Sequence, residues 1–244
     1  MGEVDQNCIS YWFPKLEALG VPVPKTRILR VPEELDDIYA VIDGMPSRAA
    51  SWVAREVAEA VPEVGGYPAF LRTGHTSGKH DWERTCYLAD GEDILSHIRC
   101  IIEYGEMAAL IGPPVDVWAV REMLPVDPLF HAFYGHMPIT REFRCFIRDG
   151  ALDAIVPYWP PSSIRQPDSD QWAERLRAAS MVSGLEPDII LSLLDPIMDA
   201  FPGYWSVDVL HTLDVTRPWV ITDMALGDDS FRWDGDFEAD LADM

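Results

Sequence analysis

Two periodicities divide this chain. Apolar residues recur at helical spacing in Tyr11–Leu19, at Tyr11, Trp12, Leu16 and Leu19, and the pattern stops at Gly20, a C-terminal cap. Ser51–Val61 does the same with Trp52, Val53, Val57 and Val61, and Gly65 and Gly66 break it. Asp90–Met107 is a third helix, with Ile94, Ile98, Ile101 and Ile102 as its buried stripe and Asp90 as N-cap. Glu33–Val41 predicts a short helix, and Gln171–Ser180 and Pro187–Ala200 two more. Between them lie extended segments: Thr26–Val31, Tyr67–Arg72, Trp82–Leu88, Val115–Leu124, Arg141–Arg148 and Ala151–Trp159. Gly112 and Pro113 break the chain, Asp149 and Gly150 form a hairpin turn, and Pro125–Pro138 reads as a long loop. Antiparallel hairpins mixed with helices make the fold class α+β.

The last predicted hairpin carries one carboxylate on each arm. Tyr204–Leu210 and Trp219–Ala225 are rich in aromatic and β-branched residues, and His211–Pro218 supplies a polar turn. A pairing centred on Asp214–Arg217 puts Asp208 opposite Asp223. Opposed like charges on one sheet face repel, and a cation between them removes the conflict. Mg²⁺ suits this arrangement, because it takes few carboxylates and completes its shell with water and phosphate oxygens. The alternative is a different register, with one aspartate facing solvent.

The chain has 244 residues, 48% of them hydrophobic, enough for one large domain or two small packed ones. No apolar run is long enough to span a membrane, and Met1–Ser10 lacks the pattern of a signal peptide. The four cysteines, Cys8, Cys86, Cys100 and Cys145, form no CxxC pair, so the expectation is free thiols in the cytoplasm. A net charge of −22 argues against nucleic acid as a partner, though not against a nucleotide in a local basic pocket. Asp228–Met244 holds seven acidic residues and one arginine, which predicts a frayed or loosely docked tail.

Two stretches could carry further chemistry. Thr73–His80 contains two glycines and several polar residues between two strands, flanked by Arg72 and Lys79. Such a tip can turn backbone N–H groups towards an oxyanion, or it can be only a mobile loop. It is not a P-loop, since the glycine–lysine spacing is absent. Alternation in Arg141–Arg148 places Glu142 and Arg144 on one face, either as a solvated ion-paired surface or with an arginine aimed at a phosphoryl group. His131 and His136 read as structural or substrate-contacting, and no histidine spacing suggests zinc.

In this order, the motifs resemble the ATP-grasp superfamily from about Lys15 to Trp233. Phe13, Pro14 and Lys15 with the Val21–Pro24 run are similar to the family's entry, and Lys15 would face phosphate. Tyr67–Arg72 followed by Thr73–His80 resembles its phosphate flap, with Arg72, Ser77, Gly78 and Lys79 as nucleotide-binding residues. Val120–Leu124 resembles the adenine hinge, with Glu122, Met123 and Leu124 contacting the base. The Glu142, Phe143, Arg144 strand resembles the central hairpin, with Arg144 and Lys79 as catalytic groups. Asp208 and Asp223 resemble the Mg²⁺-binding pair. The phrasing around Arg72–Trp82 is also similar to a compact phage and bacterial subgroup, distantly like the cell-division-cycle factors that assist translation-factor assembly.

The resemblance implies two α+β subdomains of mainly antiparallel sheet with the nucleotide site between them. Residues 1–66 would be an entry segment, 67–124 the small subdomain, 125–233 the large one and 234–244 an acidic tail. It implies ATP and Mg²⁺ as cofactors, and a ligase that activates a carboxylate as an acylphosphate for attack by an amine. The acceptor, a carboxylate or a protein, is unassigned. Three departures bear on this. Arg72 stands where lysine is common, Ala225 replaces an expected asparagine, and no substrate domain precedes the core. The last two favour an alternative: an ATP-binding assembly factor with little turnover.

Overall fold

The computed structural model describes residues 4–108, 114–134, 136–184, 186–233 and 236–242. The predicted break at Gly112 and Pro113 lies outside them. The chain forms two compact units, one of Cys8–Ser10 with Pro24–Met123, the other of Met1–Asn7, Tyr11–Val23 and Leu124–Met244. Residues 24–66, set apart above as part of an entry segment, thus fold with the 67–123 region. Helix α1, Ile9–Leu19, begins in the first and continues in the second.

The first unit is a four-stranded antiparallel sheet with helices against it. Its strands are β1 (Thr26–Arg30), β2 (Ala69–Thr73), β3 (Tyr87–Leu88) and β4 (Val117–Glu122), in the order β1–β4–β2–β3. Helix α2 spans Arg48–Val64 because both ends are capped. Ser47 Oγ accepts the Ala50 N–H, the Asp37 carboxylate accepts those of Arg48 and Ala49, and Gly65 at φ +118° ends the helix. Its apolar face and that of α3 (Ile94–Ala108) bury Val53, Val57, Ile98 and Ile101 against Leu71, Trp118 and Val120 of the sheet. Pairing of Phe70 with Arg121 and of Arg72 with Ala119 sets Arg72 and Arg121 on the opposite sheet face, where both are buried.

The second unit is built on the sheet β10–β9–β7–β8, all antiparallel: β7 (Glu142–Arg148), β8 (Ala151–Pro157), β9 (Tyr204–His211) and β10 (Trp219–Leu226). A separate hairpin pairs β5 (Phe130–Ala132) with β6 (Met137–Ile139), and α4 (Trp172–Ala179), α5 (Glu186–Ala200) and α6 (Phe237–Ala242) complete the unit. Asp149 and Gly150 turn β7 into β8 with φ of +48° and +83°, the left-handed conformations that a two-residue hairpin turn needs. One sheet face buries Phe143, Cys145, Trp205, Val207 and Val209, and Trp205 meets Phe201 edge-on with ring centroids 5.2 Å apart.

Several expectations are corrected. Helix α3 begins at Ile94 rather than Asp90, because Asp93 sits at φ +56° and Asp90 accepts the Glu92 N–H in a turn. The strand predicted over Trp82–Leu88 is reduced to β3, since the Thr85 hydroxyl ties Gly78 and Asp81 carbonyls into a turn. Glu33–Val41 keeps a single 3₁₀ turn, Ile38–Val41. The Pro125–Pro138 loop contains β5 and most of β6. The tail does not fray throughout. Trp233 and Phe237, four residues apart, are buried edge to face, and Asp240 accepts the Ser162 N–H and hydroxyl.

Candidate functional site

The candidate site is a row of residues crossing the second unit's sheet. Val156, Arg144, Asp208 and Asp223 are direct partners from β8 through β7 and β9 to β10, so all four share one face. Near the turn the register pairs Val209 with Ile221, which would set Thr222 against Asp208. A bulge takes Thr222 out of the register, where its hydroxyl donates to the Asp208 carbonyl at 3.4 Å, and brings Asp223 opposite Asp208 instead. The expected pairing is present, but it depends on an irregularity that the strand pattern does not announce.

Arg144 and Asp208 form a two-pronged ion pair, Nε to Oδ1 at 2.7 Å and Nη2 to Oδ2 at 2.9 Å. Arg144 Nη1 donates to the Phe231 carbonyl at 3.1 Å, and the guanidinium lies 4.8 Å from the Tyr158 ring centroid. Burial opposes the charge on Arg144. The Asp208 charge and hydrogen bonds outweigh it, and push the arginine pKa up. Asp208 is 4% exposed, while Arg144 and Val156 beside it on this face are half-buried. Asp223 is half-buried, and its Oδ1 accepts the next N–H, that of Met224, at 3.0 Å. Ala225, paired with Ser206, lies two residues on along the same face.

The donor set fits Mg²⁺ in kind. Two opposed carboxylates leave oxygen lone pairs for an ion that completes its shell with phosphate and water. Asp208 would then be shared between the ion and Arg144, two roles that sequence reasoning kept apart. Among the described residues no three His, Cys, Asp or Glu side chains converge as a metal cluster.

Lys15 is also in the second unit, on α1. Its ammonium stands 3.5 Å above the Tyr11 ring centroid and 5.3 Å from that of Phe201, and Tyr11 stacks on Trp205. Leu124, the last of the expected hinge residues, begins this unit's main segment.

In the first unit, Arg72 Nε donates to the Thr73 carbonyl at 3.1 Å. Ser77 and Lys79 are half-buried, and Gly78 stands at φ +62° beside Thr85 and Tyr104. The loop's N–H groups are largely engaged within the unit. Thr73 N–H meets the Thr76 carbonyl, His75 and Thr76 N–H groups meet Thr73 Oγ1, Gly74 N–H meets the Val117 carbonyl and Gly78 N–H meets Thr76 Oγ1. In this conformation it is a hydrogen-bonded turn rather than an open anion cradle. Glu122 holds Lys25 by two bonds, carboxylate to N–H at 2.9 Å and N–H to carbonyl at 2.9 Å, and Met123 closes the unit. A shallow groove at the start of α2, lined by Leu35, Ser47, Arg48 and Trp52, includes none of the expected site residues.

Sequence reasoning missed Tyr158, Arg232 and the Ser230–Arg232 segment. Arg232 reaches Asp153 and the Tyr204 hydroxyl. The one signal was a lone arginine inside the acidic tail.

Comparison with solved structures gives a likeness of fold. The chain resembles C-terminally truncated Cdc123 from Schizosaccharomyces pombe, with a TM-score of 0.55, 13% identity, and coverage of 93% of this chain and 87% of that one. Another Cdc123 structure from the same organism matches at TM-score 0.55 and 15% identity over 91% and 83%. A RimK domain ATP-grasp protein from Sphaerobacter thermophilus matches at TM-score 0.45 and 17% identity, and 92% of this chain spans 59% of that one. No family model matches the sequence, and no curated protein does. The fold is α+β, and its likeness is to the Cdc123 fold.

Proposed function

We propose that this protein binds ATP with Mg²⁺ and activates a carboxylate as an acylphosphate for attack by an amine or similar nucleophile. The observation that carries this reading is the Arg144, Asp208, Asp223 row: a cation and two acids on one face of one sheet. Asp208 and Asp223 would hold the ion, which neutralises phosphate charge when bound. Lys15, Arg72, Ser77, Gly78 and Lys79 are assigned to phosphates, and the Glu122–Leu124 backbone to the adenine edge. Arg144 is assigned to the γ-phosphoryl group, where a fixed guanidinium stabilises charge spread over three oxygens. The substrate carboxylate oxygen bonds to the γ-phosphorus while the bond to ADP breaks. The nucleophile then attacks the acyl carbon, and inorganic phosphate leaves with the bonding pair as the amine releases its proton.

Ala225 favours a second reading. The site face carries a methyl group two residues beyond Asp223, where a carboxamide would help hold a second ion. That supports an ATP-binding assembly or interaction factor with little turnover. Two measurements separate the cases. Mg·ATP at millimolar concentration is expected to raise the melting temperature, since a ligand that binds the native state stabilises it. Phosphate release against a panel of small carboxylates and amines is expected for a ligase. A melting shift without turnover favours the second reading, and no shift removes both.

A further inference from the structure

Three consecutive residues cross the site-bearing sheet face. Ser230 Oγ meets Ser206 Oγ of β9 at 2.6 Å, and the Phe231 carbonyl accepts from Arg144 Nη1 of β7 at 3.1 Å. Arg232 lies 5.0 Å from the Phe146 ring centroid, donates to the Tyr204 hydroxyl at 3.2 Å and pairs with Asp153, the residue left over at the bulge in β8. Beyond them, buried Trp233 anchors the strap. The Phe231 side chain is 68% exposed, so at that residue the backbone makes the contact with Arg144.

Arg144 spends Nε and Nη2 on Asp208, and Nη1 points to the strap. A carbonyl oxygen therefore occupies one of the two donor directions of that nitrogen, the place an anionic oxygen bonding along it would take. We infer that Ser230–Arg232 is an autoinhibitory strap, and that a phosphate oxygen reaches Arg144 by displacing the Phe231 carbonyl. This rests on the nucleotide reading above and adds a form of regulation to it. The Arg232–Asp153 pair is half-exposed on both sides, a latch weak enough for a bound anion to open.

The test is calorimetric titration of the full chain with Mg·ATP, comparing wild type with Arg232→Gln and Asp153→Asn. If the strap competes, both substitutions loosen it and both tighten binding, by about two- to five-fold given how little an exposed pair contributes. If only local charge matters, the two move in opposite directions: losing the arginine weakens binding and losing the aspartate strengthens it. Opposite shifts, or none in either variant while wild type binds, overturn the strap and leave the nucleotide reading standing. Absence of binding in all three proteins overturns both.

Discussion

Arg144 and Asp208 are 64 residues apart in sequence and face each other across β7 and β9 in a two-pronged ion pair, the aspartate side chain 6% exposed and the arginine 19%. Removing one member of such a pair leaves a buried charge uncompensated, at a cost of about 3–5 kcal/mol. Arg144→Ala and Asp208→Ala are each expected to lose stability in that range, and the double variant less than the sum. Urea unfolding checks this. Strictly additive costs would show that the two side chains do not act as a pair.

Asp223 differs, being half-buried and outside the ion pair's fork. Asp223→Asn is expected to weaken Mg²⁺-dependent ATP binding while shifting stability by less than about 1 kcal/mol. Titrations with and without Mg²⁺ measure the first effect and denaturant unfolding the second. A large stability loss would make the aspartate structural.

The β9–β10 turn carries a pH signature. Asp214 accepts the Thr216 hydroxyl at 2.7 Å and N–H at 2.9 Å, and Arg217 Nε at 3.0 Å. The Thr216 hydroxyl is the largest cause pulling its pKa from 3.8 down to about 2. A depressed carboxylate binds more protons unfolded than folded, so its contribution is complete above the ordinary value and vanishes as pH falls through the folded one. The melting-temperature gap between wild type and Asp214→Ala should stay flat from neutral pH to about 4 and close towards pH 2. A gap that widens on acidification has the wrong sign.

Gly74 leaves no room for a methyl group. A Cβ there would stand 2.6 Å from Cys8 Sγ and 3.2 Å from Val117 Cβ. Gly74→Ala is expected to cost about 1–3 kcal/mol, as overpacking does. Adding Cys8→Ala removes the nearer clash and should restore part of the loss in thermal unfolding. No rescue would place the strain elsewhere.

The acidic tail supplies the last prediction. Phe237 is 9% exposed, against Trp233 and under the Arg177 guanidinium. Phe237→Ala should destabilise the protein by about 3 kcal/mol, as loss of a buried aromatic does. A frayed tail would give almost no change.

Local rules make much of this fold legible in the order of residues. Helical spacing marks α1, α2 and α5, glycine stops end the first two, and the left-handed turn at Asp149 and Gly150 announces β7 and β8. Such signals lie within a few residues of each other, where backbone sterics and side-chain period decide the outcome. The helix start at Ile94 and the collapse of the Trp82–Leu88 strand are not legible, because side-chain hydrogen bonds in turns, between Asp90 and Glu92 and from Thr85 to Gly78 and Asp81, override the periodicity. The two acids and the arginine can be named from sequence, along with the arms that carry the acids. Sequence also sets the two acids opposite each other, but not Arg144 beside them, which needs the β7–β9 pairing between distant segments, nor the bulge at Thr222 on which the acids' register depends. The strap that meets Arg144 also belongs to the tertiary structure alone. Its contact with Arg144 runs through a backbone carbonyl, which every residue possesses, and so leaves no mark on the order of side chains.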